Sequence, residues 1–223
     1  MTKERPIIWI GGWASDMHCW EDTLEAALSG FRPRYVSAHT VLGGIDRLQG
    51  LLEASGPGTV LAGWSMGVLL VERLLRDGLV PPEMPVIRVC PFLDFCDPAG
   101  PWKPRVLHRM CHRLFGDAHG VLEDFADLAG IPQGPLRRVW LDQATQLGED
   151  NLVEGLEVLG ELRFAGPWAT ARGGFIVSPD DAVSPATPTP AETTRNMPRG
   201  SGHVPFLAHP QAFQQALQEL VGP

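Results

Sequence analysis

Apolar residues along this chain fall into two kinds of run, and the two alternate. Ile7-Ile8-Trp9-Ile10, Thr59-Val60-Leu61 and Val86-Ile87-Arg88-Val89 are short and bounded by glycine or proline, as suits strands buried on both faces of a parallel sheet. Between them the apolar positions recur at helical spacing. Trp20, Leu24 and Ala27 share one face after Ser15 or Asp16, either of which can cap a helix; Leu48, Leu51 and Leu52 share another within Ile45 to Leu52. Val68 to Arg76 is a third helical run, ending near Gly78, and Tyr35-Val36-Ser37 reads as a short strand. Strands that alternate with helices at this pitch predict a mostly parallel central sheet with helices on both faces.

The rhythm breaks after Cys90. Pro91 to Pro101 is a loop rich in proline and aromatic residues, and Trp102 to Phe164 has helical periodicity without a convincing strand. Gly174-Phe175-Ile176-Val177 resumes the sheet. The predicted organisation is therefore an α/β core of residues 1–96 and 166–223, with a helical lid, 97–165, inserted after the strand near residue 90. Ala186 to Arg199, crowded with proline and threonine, is expected to be loop with at most a short helix. A last amphipathic helix, about Pro210 to Leu220, carries Phe213, Leu217 and Leu220 on one side.

Chemistry enters at Gly63-Trp64-Ser65-Met66-Gly67, a G-x-S-x-G pattern between a predicted strand and a predicted helix. Chance readily supplies the five residues alone, but the strand-before, helix-after setting is that of a nucleophile elbow, whose glycines admit a tight turn with the serine at its tip. Serine is a weak nucleophile at neutral pH and needs a base, itself oriented by an acid. His203, beside Gly202, and Asp180 or Asp181, just after a predicted strand, complete the order serine, aspartate, histidine known for α/β-hydrolases. Asp181 is preferred to Asp180, although periodicity cannot separate neighbours; His209, before Pro210, reads better as a cap or surface residue. The backbone N–H groups of Trp13 and Met66 are placed to receive developing oxyanion charge.

Composition narrows the picture. With 223 residues, 44% of them hydrophobic, the chain is long enough for one domain with a sizeable core. A formal net charge of −8 argues against nucleic-acid binding by bulk electrostatics. The four cysteines, Cys19, Cys90, Cys96 and Cys111, have neither metal-knuckle nor disulfide-framework spacing, and no histidine spacing implies a metal; neither metal nor cofactor is expected. The charged start, residues 1–6, and the short apolar run after it fit neither a signal peptide nor a membrane span, so a soluble cytoplasmic protein is expected. Against the acidic whole, Lys103, Arg105, Arg109 and Arg113 form a basic stretch, the arginines four apart and so in one stripe on a helix. Such a stripe is either a solvated face or a docking surface for an acidic partner. Apolar lid residues such as Phe115 and Phe125 can line an acyl path or serve as core.

Taken together, Gly11-Gly12-Trp13-Ala14, the elbow, Asp181-Ala182-Val183-Ser184-Pro185 and Gly202-His203-Val204-Pro205-Phe206 resemble the BioH-like pimeloyl-[acyl-carrier protein] methyl ester carboxylesterases of biotin synthesis. Lid stretches Lys103-Pro104-Arg105-Val106-Leu107, Leu122-Glu123-Asp124-Phe125 and Gly155-Leu156-Glu157-Val158-Leu159 extend the likeness. The resemblance implies an α/β-hydrolase fold, a Ser65–His203–Asp181 triad, an oxyanion hole at Trp13 and Met66, and a lid that docks acyl carrier protein bearing a pimeloyl methyl ester. It also implies departures: the first antiparallel strands of that fold are missing, giving a reduced strand number, and the segment between Asp181 and His203 is shortened. A broad short-chain esterase and a non-catalytic binding protein of the same fold are the alternatives.

Overall fold

The computed structural model describes residues 4–42 and 45–222; the first three residues of the charged start lie outside them. Six strands, β1 (Arg5–Ile10), β2 (Phe31–Val36), β3 (Val60–Trp64), β4 (Val86–Val89), β5 (Gly173–Val177) and β6 (Thr194–Asn196), form one sheet in the order β2-β1-β3-β4-β5-β6. Every pairing is parallel. Flanking it are α1 (Glu21–Leu24), α2 (Ala38–Leu42), α3 (Ile45–Glu53), α4 (Met66–Arg76), α8 (Pro205–Ala208) and α9 (Pro210–Val221). Between β4 and β5 come α5 (Pro104–Ala129), α6 (Pro135–Gln146) and α7 (Glu149–Glu161), with α6 and α7 both packed on α5.

β1, β3 and β4 are the strands whose continuous apolar runs mark them in the sequence, and their residues from Ile7 to Ile10, Val60 to Trp64 and Val86 to Val89 are all buried. A charge is buried among them. Arg88 on β4 is 1% exposed and Glu72 on α4 is 0% exposed; they pair at 3.2 Å, and Arg88 also donates to the Ala169 carbonyl at 2.9 Å. Burial pulls the Arg88 guanidinium below its ordinary range, and Glu72 opposes that shift. Glu72 accepts in addition from Arg76 at 3.0 Å and from the Ala169 N–H at 2.6 Å, so this network fastens the chain entering β5 to α4.

The edges are where expectation and structure differ. β2 begins at Phe31 rather than Tyr35; Arg32 and Arg34 are exposed and Pro33 interrupts, as an edge strand tolerates. Asp16 does cap, accepting from the His18 N–H, but the helix is a 3-10 turn over Met17–Trp20 followed by the single-turn α1. Ser15 instead accepts from Trp140 Nε1 at 2.9 Å. Within Ala186 to Arg199 the short 3-10 turn Ala191–Thr193 is joined by β6, a three-residue strand too short to show alternation.

Loss of one partner should reveal the weight of the buried pair. Glu72→Gln is expected to lower the unfolding free energy by about 3–5 kcal/mol, because Arg88 stays buried without its counter-charge. Urea unfolding would measure it, with the apolar double replacement Glu72→Leu, Arg88→Met expected to lose much less.

Candidate active site

Strand order reverses between β1 and β3: the chain leaves β1 toward β2 and returns on the other side to β3. Loops at the carboxyl ends of such a pair diverge and leave a crevice. Gly11-Gly12-Trp13 leaves β1 there, and Ser65 ends β3 there. Ser65 has φ 57° and ψ −122°, a left-handed conformation uncommon for a residue with a side chain. Sterics demand the glycines around it: a Cβ on Gly63 would stand 2.6 Å from the Gly67 carbonyl oxygen, and one on Gly67 would collide with the carbonyl oxygens of Ile10 and Gly11. A Cβ on Gly12 would lie 3.1 Å from the Ser65 Cβ, so the β1 loop rests directly against the elbow.

The remaining groups converge on this point. Ser65 Oγ lies 2.8 Å from His203 Nε2, and His203 Nδ1 lies 2.9 Å and 3.0 Å from the two carboxylate oxygens of Asp181. Of the two neighbouring aspartates only Asp181 makes this contact; Asp180 is exposed and accepts from the Gly200 N–H at 2.6 Å. Burial pushes the Asp181 carboxyl upward, yet His203 beside it and the N–H groups of Ser184 and Val183 outweigh that effect and hold it at about 2. Met66 is the first residue of α4, so its N–H is among those a helix cannot satisfy internally. His209 stands at the start of α9 and makes no contact with Asp181 or Ser65 of the kind His203 makes.

His203 is itself held from several sides. Its carbonyl accepts from Trp64 Nε1 at 2.8 Å, and its N–H donates to Ala129 at the end of α5 at 3.1 Å. Sequence reasoning missed these supports, although Trp64 sits inside the elbow pattern. Cys90 Sγ, Asp181 and His203 also cluster within 4.8 Å. Burial drives the Cys90 thiol well above its ordinary range, so it is protonated and hydrogen-bonds to the His203 carbonyl at 3.5 Å rather than offering a thiolate.

The inserted helices roof the site. Phe125 packs edge-on against Trp13, with ring centroids 4.9 Å apart, and lies 6.5 Å from the His203 ring. Trp13 Nε1 donates to the Leu152 carbonyl on α7 at 2.9 Å. Under this cover Ser65 is only 4% exposed and His203 0%. A cleft of about 470 Å³ opens on the other side of the acid, lined by Cys90, Asp181, Ser184 and the proline-rich chain to Thr189.

Phe115 does not join the roof. It is 58% exposed, on a turn of α5 just before Asp117, where φ −152° and ψ 54° kink the helix and Asp117 recaps it through the Gly120 N–H. The basic stretch is also divided. Lys103 donates to the carbonyls of Pro98 and Gly100, and Arg113 pairs with Asp117 and Asp124, which leaves Arg105 and Arg109 beside His108 as the exposed basic face of a shallow groove.

No family model and no curated protein matches this sequence. Solved structures do match in shape. An esterase from Exiguobacterium antarcticum superposes with a TM-score of 0.74 at 15% identity, over 99% of this chain and 93% of that one. A putative aryl esterase from Burkholderia cenocepacia gives 0.74 at 19%, over 99% and 91%, and a bromoperoxidase from Bacillus anthracis 0.74 at 17%, over 98% and 92%. The chain has the α/β-hydrolase fold. Likeness at such identities extends to the fold and not to a reaction, which has to be argued from the site.

The acid's depressed carboxyl makes a stability prediction. The Asp181 contribution is fully present above the unfolded aspartate range near 4 and is lost as pH falls through about 2. Asp181→Asn is therefore expected to be less stable than wild type at pH 7, with the gap closing between about pH 4 and pH 2. Thermal melting across that range would measure it, and a gap unchanged by pH would contradict it.

Proposed function

We propose that this protein is a serine carboxylesterase, and the observation that carries the reading is the unbroken chain from Ser65 Oγ through both nitrogens of His203 to Asp181. His203 Nε2 takes the Ser65 proton as Oγ attacks the ester carbonyl; Asp181 fixes the ring's tautomer and stabilises the imidazolium that forms. The carbonyl oxygen, now an oxyanion, is received by the N–H groups of Met66 and Trp13. His203 returns the proton to the departing alcohol, and water repeats the sequence on the acyl-enzyme to release the acid. Esterases among the proteins of similar fold point the same way. With Asp181 against His203, the geometry favours hydrolysis over a non-catalytic role.

For substrate, we propose the methyl ester of pimeloyl-acyl carrier protein, cleaved to methanol and the free acid. The resemblance in elbow, acid loop, histidine loop and lid supports it. So does the apolar roof of Trp13 and Phe125, which suits an acyl chain, and the exposed Arg105 and Arg109 on an otherwise acidic molecule, which suit an acidic carrier. A broad short-chain esterase is the second reading, favoured by the tying back of Lys103 and Arg113.

Ser65→Ala should fold and lose about 10⁴-fold or more in kcat on p-nitrophenyl butyrate; activity that survives the substitution would sink the nucleophile. Reversing Arg105 and Arg109 to Glu is expected to lower kcat/KM on the carrier-bound ester by about tenfold or more at low salt and leave the small ester unchanged. Equal effects on both substrates would favour the broad esterase.

A further inference from the structure

Three loops meet behind the imidazole of His203, and one side chain that touches two of them has no part in the reaction as described. Ser184 lies in the acid loop. Its backbone N–H is 3.0 Å from Asp181 Oδ1, its hydroxyl donates to the Cys90 carbonyl at 2.9 Å, and the same Oγ stands 3.4 Å from His203 Nδ1. Because the hydroxyl proton is committed to Cys90, Oγ has only lone pairs left for its other neighbours. Nδ1–H therefore faces three oxygens, two of them from Asp181.

Cys90 creates this arrangement. Its N–H still bonds the Ile176 carbonyl at 2.9 Å, extending the β4–β5 ladder, but its φ of 51° turns the chain out of the strand. After that turn the carbonyl meets the Ser184 hydroxyl while the thiol meets the His203 carbonyl. The titratable groups facing His203 are Asp181, the protonated Cys90 thiol and Ser65; the roof contributes Phe125 and the Ala129 carbonyl, and the elbow the Trp64 indole.

We infer that Ser184 is a positioning residue: its hydroxyl, oriented by the Cys90 carbonyl, is an additional acceptor for His203 Nδ1–H and favours the protonated ring. The catalytic consequence rests on the esterase reading, whereas the effect on His203 does not. When the Ser65 proton moves to Nε2, the ring becomes an imidazolium, and the negative end of the Ser184 dipole stabilises that state more than the neutral one. Such differential stabilisation lowers a barrier. At 3.4 Å the arm is long, so its effect is smaller than that of Asp181.

Ser184→Ala removes the hydroxyl and keeps the backbone N–H on Asp181; Ser184→Thr keeps both. The readouts are an NMR titration of the His203 ring, with the low-field Nδ1 proton marking its bond to Asp181, and kcat/KM against pH on p-nitrophenyl butyrate. In Ser184→Ala the low-field proton should persist, the His203 pKa should fall by roughly half a unit, and the acid limb should move to lower pH by the same amount. The plateau kcat should fall by up to about threefold, the rate equivalent of half a unit, and Thr should restore all three. If alanine fails to fold, Ser184→Cys, with its weaker acceptor, carries the same expectation. An unchanged titration overturns the inference, and so does loss of the low-field proton, which would mean that Ser184 only holds the acid loop. Should wild type hydrolyse no ester, the esterase reading fails while the titration still decides the role of Ser184.

Discussion

Between the end of β1 and the start of α4 the backbones approach so closely that no side chain fits. Gly67 sits against the carbonyl oxygens of Ile10 and Gly11, and Gly63 sits beneath Gly67. Relaxing either would push α4 off β1, and the turn at Ser65 would lose the compression that holds its φ at 57°. Everything at the site is referred to that turn. It places the serine oxygen at the tip, sets the Met66 N–H at an unsatisfied helix start, and brings the β1 loop with Trp13 against the serine from the other side.

Around this point the protein must satisfy polar groups inside an apolar shell, and it does so largely with indoles. Trp64 bonds the His203 carbonyl, Trp13 the Leu152 carbonyl, Trp140 the Ser15 hydroxyl and Trp102 the Val183 carbonyl. Each buries a large ring and gives its one donor to an oxygen inside the protein. Several of these bonds cross between the inserted helices and the core. The roof is thus directionally tied to the parts it covers, and its Ala129 carbonyl holds the backbone of His203 itself.

How much of this was legible in the sequence depends on whether a feature is local. β1, β3 and β4 are continuous apolar runs because both faces of the sheet are covered, and the G-x-S-x-G turn is read from five residues because its sterics are contained in them. β6 and the kink at Asp117 were not legible. A three-residue edge strand carries no periodicity, and a helix that breaks and recaps on its own aspartate keeps the same apolar spacing on both sides. The basic stretch shows the same limit in charge: spacing aligned Arg105, Arg109 and Arg113 and set Asp117 one helical turn beyond, but Asp124, which also claims Arg113, reaches it only through the fold. Asp180 and Asp181 likewise differ by one residue in sequence and entirely in partner.

Between Asp181 and His203 the sheet offers only the three-residue edge strand β6, and the acid is held in place by other means. A long final strand would fix that loop from outside; here the loop is braced from within. Asp181 accepts from the N–H groups of Val183 and Ser184, Asp180 accepts from Gly200 across the base of the segment, and the Ser201 hydroxyl closes onto the Pro198 carbonyl. Prolines at 185, 188 and 190 restrict the chain between, so little conformational freedom remains to be removed by strand pairing. Two adjacent aspartates thereby divide the work. Asp180 closes the loop at the surface, and Asp181, freed from that duty, faces inward to the imidazole.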